Sequence, residues 1–450
     1  ATTFGLGGQA SLEKVQPGMD AAGIVVKAYQ SGVNYYDTSN VYGPSQTFYG
    51  KAFRQLGLVP GLPNYSAKKR RGIFLATKTL LRLSKGTLED KQLRGNSNGG
   101  EFTHAVDDVR RSLTQIFGDG KGNYPKGAYL DLVQIHHLFL SEQIGILREG
   151  LVDTDPNAEL IGALAGLRDL RDGTNLTGLN PKEEKVIRHI GFSGHKSAPV
   201  MMEMIRRDED NLLDTMLVAI NANDRNYTNM QHNAIAVANA KNMGVIGMKV
   251  FAGGNMYERD KVTRGDRNVI YSVGSERMPS RMLMEYTLTT PGVDIAITGI
   301  GAISAESRDC QLTRNMSAAQ VDYKTLSEND RLNIEKRAGQ VGRDRDGMTN
   351  RFQEDETGLS AVTNLKLKPV PVKGLRGVEL TWDSAIAGDE PIKEYRVFRN
   401  GRNVATIPHK PQTTTEPFRY ADPMTGGSRE YRVETIDVEN KTAKSEIIKS

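Results

Sequence analysis

The sequence predicts an α/β chain in which a (β/α)₈ barrel is followed by a small all-β sandwich. Three observations carry this. From about residue 1 to 340, short apolar runs alternate with longer segments of helical period. There are eight such runs, the number that closes a barrel of parallel strands within the usual span of roughly 250 residues plus insertions. After about residue 358 the helical period vanishes, and alternating short strands separated by turn signals take over.

The strands are expected at 4–8, 33–37, 73–77, 130–135, 186–192, 217–221, 245–250 and 295–298. Many are continuously apolar, as strands of a parallel sheet covered on its outer face must be. Helices are expected at 19–31, 102–117, 158–171, 198–207, 231–242 and 280–289, where apolar residues recur at the helical period. An open doubly wound sheet would need a glycine fingerprint after its first strand, and Gly5-Leu6-Gly7-Gly8 lacks that spacing. Residues 58–71, 96–100 and 138–156 read as insertions. The last two lengthen loops after the third and fourth strands, on the rim that shapes a substrate pocket. The basic run Lys68-Lys69-Arg70-Arg71 reads as a solvated turn before a strand.

The tail strands are expected at 365–367, 377–382, 393–399, 402–407, 419–421, 428–437 and 442–448. Asp389-Glu390-Pro391, Asn400-Gly401 and Gly426-Gly427 mark the turns between them. The domains are therefore placed at 1–350 for the barrel and 360–450 for the sandwich.

Composition narrows the function. Charged residues at 25% and hydrophobic ones at 38% are ordinary for a soluble globular chain. The net charge of +5, with acids interspersed among the Lys and Arg, does not argue for a nucleic-acid partner. The lone cysteine, Cys310, excludes an intrachain disulfide framework and a Cys-based metal site. No apolar run approaches the ~18 residues of a membrane span. The chain begins Ala1-Thr2-Thr3 without methionine, so an initiator methionine, a tag or an export signal is expected to have been removed. Cytoplasmic and exported (periplasmic) locations both stay open.

The chemistry lies in four residues at strand ends, in the order Asp37, Tyr42, Lys78 and His136. Consecutive parallel strands bring all four to one mouth of the barrel. Singly each has a structural reading: a turn-capping carboxylate, a turn aromatic, a surface lysine, a core histidine. Together they are the groups that carbonyl reduction needs, because hydride addition leaves a developing alkoxide that must be protonated. A phenol, with a pKa near 10, is a weak acid at neutral pH. An adjacent ammonium is expected to lower that value, and a carboxylate to hold the ammonium in place. A neutral imidazole orients the substrate oxygen. Tyr42 is thus assigned as proton donor, Lys78 as its tuner, Asp37 as the anchor and His136 as the orienting donor. His137, in a continued strand, would point to the opposite face and pack.

The stretch Asp37-Thr38-Ser39-Asn40-Val41-Tyr42-Gly43, with Thr77-Lys78 and Asp131-Leu132-Val133-Gln134-Ile135-His136, resembles the signature motifs of the aldo-keto reductase family. The likeness runs from about residue 4 to 315. It implies a (β/α)₈ reductase that uses NADPH, with no metal and no flavin, acting on a small carbonyl substrate. It places Ser193 and Asn221 at the nicotinamide carboxamide. Gly194 stands where an asparagine is often found beside that serine, and Lys249 or Phe251 where a tyrosine often stacks. The paired glycines at Gly253 would admit the pyrophosphate. After the eighth strand, a glycine turn entering a helix is a phosphate cradle on physical grounds, and the resemblance points to Gly301 and Ser304 there. It sets Asn315 near the adenine and leaves Arg308 or Arg314 for a ribose 2′-phosphate.

In the tail, Val378-Glu379-Leu380-Thr381-Trp382, Tyr395-Arg396-Val397-Phe398-Arg399 and Tyr431-Arg432-Val433 resemble strands of a fibronectin type III module. Such a module implies a spacer or a docking surface for a partner or polysaccharide. The leading expectation is a reductase of an aldehyde or ketone, sugar-like by analogy with that module. A cofactor-bound sensor whose sandwich recruits a partner is the alternative, and a barrel isomerase or epimerase without net redox is the third.

Overall fold

The computed structural model describes residues 3–9, 11–15, 18–96, 104–224, 227–254, 256, 278–301, 303, 310–322, 326–343, 358–423 and 427–450. In chain order its first strands are β1 (Phe4–Gly7), β2 (Tyr35–Asp37), β3 (Phe74–Thr79), β4 (Leu83–Lys85) and β5 (Leu130–Ile135). They continue with β6 (Ile161–Gly162), β7 (Ile187–Gly194), β8 (Thr215–Ala219), β9 (Gly244–Met248) and β10 (Ile295–Thr298). Eight of them close a barrel in the order β1-β10-β9-β8-β7-β5-β3-β2. Each pairing is parallel, and the registers set Asp37 beside Ala76 and Lys78 beside Gln134.

Alternation along the strands sends Tyr35, Ala76, Leu132, Leu217, Ala219, Ile246, Met248 and Ile297 into one buried cluster. Tyr35 stacks on Phe74 there, ring centres 5.6 Å apart. At the exit from β1 a Cβ on Gly8 would stand 2.4 Å from the Asp37 carbonyl oxygen. Only glycine lets the two strand ends come so close.

The helix Ala21–Gln30 starts on Asp20, whose carboxylate accepts the Gly23 N–H at 2.9 Å, an ordinary N-cap. Helices Ser45–Leu56 and Ser141–Arg148 occupy connections that sequence periodicity left unassigned. The helix after β6 is Ala163–Asp172, shorter at its start than 158–171, because Ile161–Gly162 pairs with β4 as a separate antiparallel ribbon. Residues 68–71 are not a wholly solvated turn. They lie in the short helix Ala67–Arg71, and Arg70 is buried, donating to Asp131 Oδ2 at 2.8 Å. The Asp131 carboxylate neutralises that charge, while the Tyr129 ring, 3.8 Å from the guanidinium, covers its face.

The chain divides into two compact units, one of residues 1–196, 212–223 and 243–352, the other of 197–211, 224–242 and 353–450. The second holds a sandwich-like pair of antiparallel sheets. Its strands are β11 (Thr363–Val372), β12 (Leu375–Asp383), β13 (Ile392–Arg399) and β14 (Arg402–Pro408), followed by β15 (Phe418–Pro423), β16 (Glu430–Asp437), β17 (Thr442–Lys444) and β18 (Ile448–Lys449). One sheet runs β11-β12-β15 and the other β14-β13-β16-β17, with β18 also on β16. Trp382, fully buried, stacks on Phe418 at 6.2 Å and meets Tyr395 edge-on at 5.9 Å. The helix Ala198–Arg206 and residues 231–240 belong to the same unit. Asn233 fixes them to the sandwich by exchanging two hydrogen bonds with the Ala387 backbone, at 2.9 and 3.0 Å.

Among the described residues, no helix is long and apolar enough to cross a membrane.

Candidate active site

Asp37 ends β2, Lys78 is the penultimate residue of β3, and His136 follows the last residue of β5. Parallel pairing puts these ends at one mouth. Tyr42 reaches the same place from the loop after β2, a turn closed by its own N–H donating to the Ser39 carbonyl at 3.1 Å. That loop is braced from behind. Asn40 donates to the Asp108 carbonyl and to Ser112 Oγ, both at 2.8 Å, and accepts from Arg111 at 2.8 Å.

The structure brings the four predicted groups together. Lys78 Nζ donates to Asp37 Oδ1 at 2.5 Å and to the Thr38 carbonyl at 2.8 Å. It stands 4.8 Å from the centre of the Tyr42 ring. The Tyr42 hydroxyl lies 3.4 Å from His136 Nε2, with the two rings edge-to-face. His136 Nδ1 lies 3.2 Å from Ser39 Oγ. Exposure separates their work. Tyr42 and His136 keep 8% and 7% of their surface, while Asp37 and Lys78 keep 2% and 1%. The first two are therefore the pair that can meet a reacting molecule.

Burial governs the electrostatics. It pushes the Lys78 ammonium down and the Asp37 carboxyl up, with each partner's charge opposing the shift. Burial, helped by the charges of Lys78, His195, His137 and Arg82, holds His136 well below the usual imidazole range. It is a neutral imidazole at pH 7. The acidified phenol expected from the sequence is not what prevails. Burial first, then the charges of Asp37 and Glu13, push Tyr42 well above the ordinary phenol value. The reason is that Asp37 neutralises Lys78 at contact distance, leaving little net field to offset desolvation.

The predicted cofactor positions divide. Ser193 is buried, and its Oγ accepts the His137 N–H at 2.9 Å, which leaves its own O–H to donate. Asn221 spends its amide on the protein, donating to the Lys249 carbonyl at 3.2 Å and accepting the Asn223 N–H at 2.9 Å. Lys249 has φ +61° and donates to Gln9 Oε1 at 3.0 Å, while the Phe251 side chain is buried. Gly253 has φ +68°, and no described residue stands within 4 Å of where its side chain would be. The Gly301 N–H already donates to Gln311 Oε1 at 2.6 Å. Asn315 is buried on the helix Gln311–Ala318 and donates to Thr298 Oγ1 at 3.3 Å. Its Oδ1 has no hydrogen-bond partner among the described residues. A buried acceptor left open is a place for a ligand donor, and with the Ser193 hydroxyl it fits a dinucleotide. Arg314 is exposed on the same helix. Ser304 and Arg308 lie outside the described residues.

Two contributors, Arg82 and Ser39, were missed in the sequence, whereas His195, two residues past Ser193, was expected at the rim. Arg82 is buried and donates to the carbonyls of His136 and His137 at 2.7 and 3.0 Å, pinning the backbone under the imidazole. Burial brings its guanidinium down to about 9. Ser39 touches His136, and its place inside the motif was the only available signal. His195 meets His137, Nδ1 to Nδ1, at 2.9 Å. His137 lies beyond the end of β5 with φ +56°, so strand alternation does not set its direction.

A model described as the aldo/keto reductase family matches residues 3–272. No protein of curated function matches the chain. Among solved structures, the holo form of an aldo-keto reductase from Bacillus halodurans is 19% identical with a TM-score of 0.45. That likeness covers 75% of this chain and 91% of that one. An aldo-keto reductase from Klebsiella pneumoniae in complex with NADPH is 15% identical with a TM-score of 0.46, over 74% and 90% of the two chains. One from the silkworm Bombyx mori is 16% identical with a TM-score of 0.43, over 74% and 82%.

Proposed function

The chain belongs to the aldo/keto reductase family, and from that premise we propose that it reduces a small aldehyde or ketone to the alcohol with NADPH. The observation that carries this reading is the Tyr42 hydroxyl 3.4 Å from His136 Nε2, beside a buried Lys78–Asp37 ion pair. Ser193 would meet the carboxamide of the dinucleotide and Asn315 its adenine, with Gly253 leaving room for phosphate. Arg314 would meet a 2′-phosphate. When bound, the dinucleotide supplies the hydride that goes to the carbonyl carbon.

The protein's own part is to bind and protonate. A carbonyl oxygen seated between Tyr42 and His136 is polarised by their hydrogen bonds, in a site where little water competes. As negative charge grows on that oxygen, Tyr42 gives up its proton. A phenol that is hard to ionise suits this, because it stays protonated at neutral pH and an alkoxide is a stronger base than a phenolate. Lys78, 4.8 Å from the Tyr42 ring, offers the forming phenolate the part of its charge that Asp37 does not cancel, and that part counts most in the transition state, where catalysis is decided. Asp37 keeps Lys78 in place. The barrel, 1–350, is the catalytic part in this reading, and the sandwich is 360–450, sharing its compact unit with residues 197–211 and 224–242.

The test is NADPH consumption by purified full-length protein against a panel of sugars, α-ketoaldehydes and aromatic aldehydes. Oxidation matched one-for-one by alcohol product is expected. Binding of NADPH without turnover of any compound would refute the reading.

A further inference from the structure

We propose that Ser39 is a positioning residue that fixes His136 in the tautomer protonated at Nε2, and so reserves the Tyr42 proton for the substrate. The consequence for catalysis rests on the reductase reading, whereas the tautomer itself does not.

A neutral imidazole carries one proton, and its other nitrogen accepts a hydrogen bond. In His136, Nδ1 faces Ser39 Oγ at 3.2 Å and Nε2 faces the Tyr42 hydroxyl at 3.4 Å. Two arrangements satisfy these contacts. With the proton on Nδ1, the ring donates to Ser39, and its bare Nε2 accepts the Tyr42 O–H. The acid is then spent on an internal bond, and the imidazole offers the substrate no donor. With the proton on Nε2, Ser39 donates to Nδ1 and the Tyr42 oxygen accepts from Nε2–H. The phenolic proton is left free to face a carbonyl oxygen.

Ser39 selects the second arrangement. Its side chain is fully buried, so its hydroxyl proton must find an acceptor inside the protein. Its oxygen already accepts the Val41 N–H at 3.4 Å, which turns the O–H toward donation. His136 Nδ1 is the other atom it meets. Arg82 holds the His136 carbonyl at 2.7 Å, so the imidazole is presented to Ser39 from an anchored backbone.

The experiment is long-range proton–nitrogen NMR of the full chain labelled with ¹⁵N-histidine, with the His136 signals identified by their loss in His136→Gln. Wild type is expected to show Nε2 protonated and Nδ1 bare at pH 7. Ser39→Ala should shift His136 toward the Nδ1–H form and lower kcat about tenfold, the value of one neutral hydrogen bond. KM and NADPH affinity should stay within about twofold. Ser39→Thr should restore both tautomer and rate. A wild-type His136 protonated at Nδ1 overturns the proposal, as does a Ser39→Ala protein that keeps the wild-type tautomer. If Ser39→Ala does not fold, Ser39→Cys, a weaker donor of similar size, is read in the same way. Failure of the whole carbonyl panel would sink the reductase reading and leave the tautomer measurement intact.

Discussion

Lys78 Nζ lies 2.5 Å from Asp37 Oδ1, and both side chains are shut off from solvent at the end of β2 and β3. Removing one member of such a pair strands a charge in a place that cannot hydrate it. Lys78→Met or Asp37→Asn should each cost about 3–5 kcal/mol of stability, and the double variant clearly less than the sum. Urea denaturation of the four proteins measures this. Single losses that add in the double variant would mean that the pair is not coupled.

A second buried acid behaves differently. Asp108 lies under the Asn40–Tyr42 loop, and burial pushes its carboxyl up to about 7. The fold therefore holds a proton that the unfolded chain releases near pH 4, so folding is favoured at low pH. That contribution fades as pH rises through about 7. Asp108→Asn keeps the shape without the charge. It should raise stability at pH 8, by up to about 4 kcal/mol, with little change at pH 4. Denaturation midpoints at the two pH values decide it, and equal effects at both would contradict the sign.

The barrel was legible because its signals are local. Largely apolar runs such as Leu130–Ile135, repeated between helical segments, read as covered strands, and the residues closing them inherit a place at the mouth. Asp37, Tyr42, Lys78 and His136 were found that way. Arg82 and Arg70 were not, since a buried arginine is recognisable only by the long-range partners that neutralise or satisfy it. The direction of the Tyr42 shift was missed for the same reason. Proximity to an ammonium can be inferred from strand order, but burial and charge cancellation by Asp37 belong to the packed structure. The helix at 231–240 was visible as periodicity, yet its attachment to the sandwich through Asn233 left no mark in the pattern.

Asn233 offers a test of that attachment. Asn233→Ala leaves the Ala387 N–H and carbonyl without their buried partners, which should cost about 1–3 kcal/mol. Trp382, the chain's only tryptophan, reports on that unit by its fluorescence. Its unfolding midpoint should fall in the variant, and an unchanged midpoint would show that these bonds do not stabilise the sandwich.

The most direct measurement is single-turnover reduction by Tyr42→Phe, with NADPH affinity titrated in parallel. Loss of the hydroxyl alone should slow the chemical step by about 10²–10⁴-fold and leave NADPH affinity within about twofold. A Tyr42→Phe protein that reduces the same carbonyl at near the wild-type rate would contradict the assignment of this phenol as the proton donor.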